Sequence, residues 1–160
     1  MWSSEVTNMI ITGIWETLYM TLVSTLVGYV IGLPMGIILT VSDKDGIKPN
    51  AALYKILDVI ANIVRSVPFI ILLVLLIPFT RLVVGKSYGS TATIVPLVIA
   101  AAPYIARMVE SSLKEVDAGV IEAARSMGAS NFTIITKVML VEARTSLLVG
   151  ATITLGTILG

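Results

Sequence analysis

Apolar runs and short polar segments alternate along the chain, and the runs are long enough to cross a membrane. No charged residue occurs between Thr17 and Ser42, a stretch that exceeds the roughly 20 residues needed to span the hydrocarbon of a bilayer. Three further apolar runs follow. We therefore predict an all-α integral membrane protein, a polytopic bundle of about four transmembrane helices at approximately 10–41, 51–80, 90–110 and 138–160.

The first predicted span carries three glycines at every fourth position, Gly28, Gly32 and Gly36. This spacing places three bare backbone patches in one row on one face of a helix, where another helix can approach closely. The alternative is that glycine is simply common in membrane helices. We favour helix packing because the spacing is constant, and we expect Pro34 to bend this helix because it lacks an N–H group.

The second predicted span is less uniform, because its first half carries Lys55, Asp58, Asn62 and Arg65. We expect one tilted helix that bends at Pro68. A charge at the centre of a bilayer costs about 2.5–3.5 kcal/mol, so these side chains avoid lipid. They form either a polar stripe near a permeation path or a solvated cytoplasmic helix end, and we favour the solvated end.

The distribution of basic residues predicts the orientation. No Lys or Arg precedes the polar turn at 42–50, and cytoplasmic loops of membrane proteins carry an excess of these residues. We therefore place the N-terminus outside and this turn inside. The inner side then holds Lys44, Lys48, Lys114, Arg125 and Lys137, and the outer loop at 81–89 holds only Arg81 and Lys86.

One long segment between the third and fourth spans, Glu115–Ala143, has regular polar content. Asp117 is a good N-cap residue, Gly128 is a natural helix stop, and either Ser130 or Asn131 can cap a second helix. The pattern predicts a short amphipathic helix, a turn and a second helix that enters the membrane. A helix lying flat in the lipid interface is an equally good interpretation of the pattern alone.

Composition excludes several function classes. The 160 residues are 56% hydrophobic and 13% charged, with a mean hydropathy of +0.97, whereas soluble domains carry about 25% charged residues. The chain contains no cysteine and no histidine, so disulfides and the commonest metal ligands and general bases are excluded. We find no catalytic, metal or cofactor site, and the net charge of +1 argues against nucleic acid as a partner.

Glu122-Ala123-Ala124, followed by Gly128 and by Val138-x-Leu140, resembles the EAA motif of permease subunits of bacterial ABC importers. The stretches at 62–85 and 102–113 are similar to the methionine-type importer permeases, and the likeness extends from Trp15 onward. The resemblance implies a multi-pass permease of the cell inner membrane that is not itself an enzyme. It implies that the elbow at 115–137 contacts a cytoplasmic ATPase through Val120, Ile121, Glu122, Ala123, Ala124, Arg125, Met127 and Gly128.

The same resemblance implies a homodimer of permeases, two ATPase subunits and an external substrate-binding lipoprotein, with alternating access driven by ATP. The family usually has proline at the position of Val141, so we expect a straighter junction between the elbow and the fourth span. The family also continues into a fifth helix, so we expect residues 1–160 to be one truncated permease domain. The alternative function is an ion-coupled secondary carrier or channel subunit.

Overall fold

Every regular element of the described part of the protein, residues 3–159 of a computed structural model, is a helix. The elements are α1 (Ser4–Ser42), α2 (Ala51–Ser66), α3 (Phe69–Leu75), α4 (Ile77–Val84), α5 (Ser90–Lys114), α6 (Ala118–Ser126), α7 (Asn131–Thr133), a π-helical segment (Ile134–Met139), α8 (Leu140–Glu142) and α9 (Arg144–Leu159). Two helices, α1 and α5, are long and apolar enough to cross a membrane, and two bent helix pairs raise the number to four if each pair is one span. The prediction of an all-α membrane bundle is confirmed.

Helices α1 and α5 pack against each other and form the centre of the bundle. Gly28, Gly32 and Gly36 are buried on the face of α1 that contacts α5. A Cβ atom at Gly32 would lie 2.7 Å from the backbone oxygen of Ala102, and one at Gly36 would lie 2.6 Å from that of Ala106. Only bare backbone permits the two helices to lie this close.

The hydrophobic core continues from this crossing toward one end of α5. Its buried members are Ala101, Ile105, Val109, Leu113, Ala124, Ile134, Met139 and Ala143. The core therefore joins α5 to the elbow and to the start of the last helix, rather than ending at the predicted membrane spans.

Helix α1 begins earlier than predicted, at Ser4 instead of about residue 10, and it continues through Pro34. The Ser3 side chain caps it by accepting a hydrogen bond from the Val6 N–H group at 3.4 Å. No residue of α1 before Thr21 is buried in this chain. With 39 residues the helix is about 58 Å long at 1.5 Å per residue, well beyond the length needed to cross a bilayer.

The predicted bend at Pro68 is confirmed, but the chain forms three helices over 51–80 instead of one. The chain turns by 104° between α2 and α3, and a second break at Leu76 separates α3 from α4. Pro68 explains the first break: it lacks an N–H group, and it keeps the preceding Val67 in the extended conformation, φ −83° and ψ 124°, that residues before proline favour.

The last two predicted spans also differ from the observed helices. Helix α5 extends to Lys114, beyond the predicted end at residue 110. The stretch predicted as one helix over 138–160 is bent by 68° between Asn131–Glu142 and α9, so the junction turns sharply although Val141 stands in place of proline. Gly160 lies outside the described residues. The orientation across the membrane and the domain bounds stay predictions.

Candidate coupling surface

Local sequence signals define both ends of α6, the helix at the centre of the elbow. The Asp117 carboxylate accepts a hydrogen bond from the Gly119 N–H group at 2.7 Å and caps the N-terminus. At the other end Gly128 has a φ of +82°. Its N–H group donates to the Arg125 carbonyl at 2.9 Å, and the Ala129 N–H group donates to the Ala124 carbonyl at 3.1 Å. These two bonds form a Schellman motif, which favours glycine at the left-handed position.

The next helix starts three residues later and is capped by Ser130. The Ser130 side-chain oxygen accepts a hydrogen bond from the Thr133 N–H group at 3.2 Å. Of the two residues predicted as possible caps, Ser130 and not Asn131 is therefore the cap. The helix–turn–helix arrangement of the elbow therefore follows from local chemistry that is visible in the sequence.

The residues predicted to contact an ATPase divide between two sides of the elbow. Val120 and Met127 are 40% and 81% exposed, and Glu122 and Ala123 are also exposed. Ala124 is buried in the core of this chain, and Ile121 is partly buried against that core. One side of α6 thus anchors the elbow to the bundle, and the other side is free for a partner.

Phe132 adds a large apolar side chain beside this free side, and the sequence analysis did not single it out. It is 75% exposed and lies one residue into the helix that follows Gly128 and Ser130. An aromatic residue in an otherwise polar turn was the available signal. Exposed Phe and Met side chains are the kind of anchors that carry binding energy in protein interfaces.

Two contacts hold the elbow against the loop that follows α1. The Arg125 guanidinium donates a hydrogen bond to the Ile47 carbonyl at 3.4 Å. Ile47 also packs against the hydrophobic core. A groove of about 520 Å³ separates the loop from α6, and its lining includes Lys114, Ile121 and Arg125. Arg125 therefore contacts this chain while remaining exposed, and its assignment to an ATPase contact stays a prediction.

Between the elbow and α9 the chain adopts a π-helix over Ile134–Met139, where the Leu140 N–H group donates to the Ile135 carbonyl, five residues back. Such segments are rare and occur frequently at functional sites. Ile134 and Met139 are buried in the core, which holds this unusual backbone in place. The sequence analysis did not predict the π-helix, because no local signal distinguishes it from an α-helix.

The polar face of α2 contacts α5 through two of its residues, which also remain exposed or partly exposed, so the interpretation as a solvated helix end stays a prediction. Asp58 forms an ion pair with Arg107, and the Asn62 side-chain oxygen accepts a hydrogen bond from Arg107 at 3.2 Å. The predicted pairing of Arg107 with Glu110 within α5 is also present, at 2.7 Å.

Comparison with known proteins gives consistent matches. The family described as "Binding-protein-dependent transport system inner membrane component" matches residues 32–160. The D-methionine transport system permease protein MetI of Salmonella typhimurium (strain LT2) is 54% identical over 152 residues, which are 95% of this chain and 70% of that protein. The protein of the same name from Escherichia coli (strain K12) is also 54% identical, with the same coverage.

A solved structure agrees with these matches. A chain of the MetNI methionine ABC transporter, in an inward-facing conformation, superposes with a TM-score of 0.97 at 52% sequence identity. The superposition covers 99% of the present chain and 74% of that one.

Proposed function

This chain belongs to the family of inner membrane components of binding-protein-dependent transport systems, and we propose that it is the permease subunit of an ATP-driven methionine importer. The TM-score of 0.97 against a chain of the MetNI methionine ABC transporter is the observation that carries the proposal. Helices α1 and α5, which are long and apolar enough to span a membrane, support the same reading. ATP hydrolysis then belongs to a separate cytoplasmic subunit.

The elbow supplies the contact through which such an ATPase acts. Val120, Met127 and Phe132 are exposed apolar side chains of the elbow, and Glu122 is an exposed charge on the same short helix as Val120. Apolar anchors bury against the partner, while a charged neighbour fixes the register of docking. Closure of the ATPase on ATP displaces the elbow, and the permease alternates between inward and outward openings. Only a differential contact of this kind can shift a conformational equilibrium.

The proposal also includes a second copy of the permease and an external substrate-binding lipoprotein. Apolar side chains remain exposed along the whole of α1, among them Leu22, Leu26 and Val30, and lipid or other helices cover them in the membrane. The Gly28 side of the same helix is occupied by α5, so a second copy docks elsewhere.

The ion-coupled carrier that we considered as the alternative has less support than the importer, although α2 carries Lys55, Asp58 and Arg65 in a predicted span. Such carriers need ionisable groups inside the membrane. Within the described helices, α9 carries no charged residue after Arg144, and α1 carries none after Glu16. In α5 the three charged residues, Arg107, Glu110 and Lys114, lie in the last third of the helix and are paired.

Uptake by reconstituted vesicles tests the proposal. Vesicles containing the permease, its ATPase and the binding lipoprotein should accumulate labelled methionine only with ATP. Accumulation should persist after ionophores collapse the ion gradients. Methionine uptake that follows an ion gradient and ignores ATP would contradict the assignment. Vesicles with an ATPase that binds but does not hydrolyse ATP serve as the control.

A further inference from the structure

A continuous network of charged side chains joins three parts of the chain at one end of the bundle. Lys114, the last residue of α5, bonds to Asp43 after α1 at 2.7 Å and to Glu110 at 2.8 Å. The other Glu110 oxygen accepts from Arg107 at 2.7 Å, and Arg107 pairs with Asp58 of α2. Acid and base alternate along the whole series.

Glu110 is the centre of this network and is the most buried of its charges, with 6% of its side chain exposed. One carboxylate oxygen accepts from Lys114, and the same oxygen accepts from the Tyr54 hydroxyl at 3.1 Å. The other accepts from Arg107. A buried carboxylate is tolerated only when its charge is compensated and its lone pairs are hydrogen-bonded, and both conditions are met here.

Helix α2 depends on these polar contacts for its position in the chain. Ala61 is its only buried residue, and most of its large apolar side chains, Leu53, Ile56, Val59, Ile60 and Ile63, are exposed. By contrast, three polar side chains of α2 reach the charges of α5: Tyr54, Asp58 and Asn62. Ion pairs and hydrogen bonds, rather than hydrophobic burial within this chain, fix α2 against α5.

The network also lies next to the elbow. Lys114 precedes the Asp117 cap of α6 by three residues, and Leu113 shares the buried core with Ala124 of the elbow and with Ile134. This packing makes the end of α5 and the elbow one body. On its far side the network holds α2, which leads through the 104° turn into α3.

We propose that Glu110 and Arg107 are positioning residues that tie α2 to α5, so that a displacement of the elbow carries α2 and the turn at Pro68 with it. This inference rests on the proposed function, because an ATPase must push the elbow. Arg107 suits the task because its planar guanidinium reaches Asp58, Asn62 and Glu110 together, which the single ammonium of a lysine does not reproduce. The contacts of Arg107 and Glu110 with α2 persist throughout the transport cycle.

The first test removes the ion pair and both hydrogen bonds that α2 makes to α5, while leaving the charges of Glu110 and Lys114 in place. The triple variant Asp58→Asn, Asn62→Leu, Tyr54→Phe should bind the ATPase and hydrolyse ATP normally in reconstituted vesicles. The methionine taken up per ATP hydrolysed should fall by about fivefold or more, the lower range for coupling between two sites. Arg107→Lys should show the same loss. A smaller amount of folded protein would lower uptake and ATP hydrolysis together and would leave their ratio unchanged.

Asp45→Asn is the matched control, because it also changes a carboxylate to an amide. Among residues 3–159, Asp45 forms a salt bridge only with Lys44, at 3.9 Å, and both side chains are almost fully exposed, so uptake per ATP by this variant should be unchanged. If the triple variant keeps the wild-type ratio of methionine taken up to ATP hydrolysed, the contacts between α2 and α5 have no role in coupling. If wild-type vesicles show no ATP-driven uptake, the proposed function itself fails.

A second test asks whether the tie must remain closed. The chain contains no cysteine, so cysteines introduced at Asp58 and Arg107 can be joined selectively by a reducible thiol cross-linker. The double-cysteine variant should have a reduced uptake per ATP before cross-linking. Cross-linking the two cysteines should restore it. Uptake that is blocked by the cross-linker and returns on reduction would overturn the proposal, because the helices would then have to separate. The cysteine-free protein, treated with the same reagent, controls for side reactions.

Discussion

Substituting alanine for Gly32 tests the α1–α5 crossing on which the bundle is built. The added Cβ would lie 2.7 Å from the Ala102 backbone oxygen and 2.7 Å from the Ile105 Cβ atom. Neither atom lies at the end of a flexible side chain, so the contact is relieved only if the helices move apart. Gly13→Ala in the same helix is the matched control, because no atom lies within 4 Å of its added Cβ.

The magnitude follows from two opposing effects. Alanine in a helix is more favourable than glycine by about 1 kcal/mol, and overpacking a close contact costs about 1–3 kcal/mol. At Gly32 the obstructing atoms include backbone, so we expect the upper end of that range and a net loss of about 2 kcal/mol. At Gly13 only the gain remains. The two variants should therefore differ by roughly 3 kcal/mol in the free energy of unfolding.

The free energies are measured by titrating the purified protein in mixed micelles with a denaturing detergent and following helicity by circular dichroism. Gly28→Ala should fall between the other two, since its shortest contact, 2.9 Å, is to the end of the Ile105 side chain, which can turn away. A Gly32→Ala variant as stable as Gly13→Ala would refute the inference that bare backbone is required at this crossing.

Three further predictions concern the elbow and its surroundings. Gly128→Ala should destabilise the turn by about 1–2 kcal/mol, because the φ of +82° disfavours a side chain, and ATPase copurification should fall while membrane insertion is unchanged. Met127→Ser should weaken ATPase binding yet alter the unfolding free energy by less than about 0.5 kcal/mol, with the equally exposed Tyr88→Ser as control. The hydrogen bond from Lys114 holds the pKa of Asp43 below its ordinary value of 3.8, so Asp43 contributes its stability above that pH and loses it as the pH falls through the lowered pKa. Asp43→Asn should therefore differ from wild type in thermal unfolding at pH 7, and the difference should shrink as the pH is lowered below 3.8.

The parts of the fold that the sequence revealed are those governed by neighbouring residues. Asp117 and Gly128 mark the ends of α6 because capping and left-handed turns depend on residues within one helical turn. The pairing of Arg107 with Glu110 was visible for the same reason, as residues three apart share a helix face. The row of glycines in α1 indicated a close helix contact, although it did not identify α5 as the partner.

What remained hidden depends on contacts between distant residues. Asp58 lies 49 positions from Arg107, and a helical pattern specifies only which face Asp58 occupies, not what that face meets. A proline at position 68 predicts a break, but the angle of 104° is set by the packing of α2 and α3 on α5. The π-helix at Ile134–Met139 likewise depends on burial of its two ends in a shared core.

The two attachments of the elbow differ in backbone geometry, and this difference bears on how the proposed push is transmitted. Toward α5, the elbow is joined through Leu113 and Ala124 in the buried core and through the Arg125 contact with Ile47. Toward α9, it is joined through a π-helix and a 68° bend at Ala143, although Ile134, Met139 and Ala143 belong to the same buried core. Under the proposed coupling, a displacement of α6 therefore reaches α5 through this core and reaches α2 through the Glu110 network. The bend before α9 is the place where the angle between the elbow and the last helix can change.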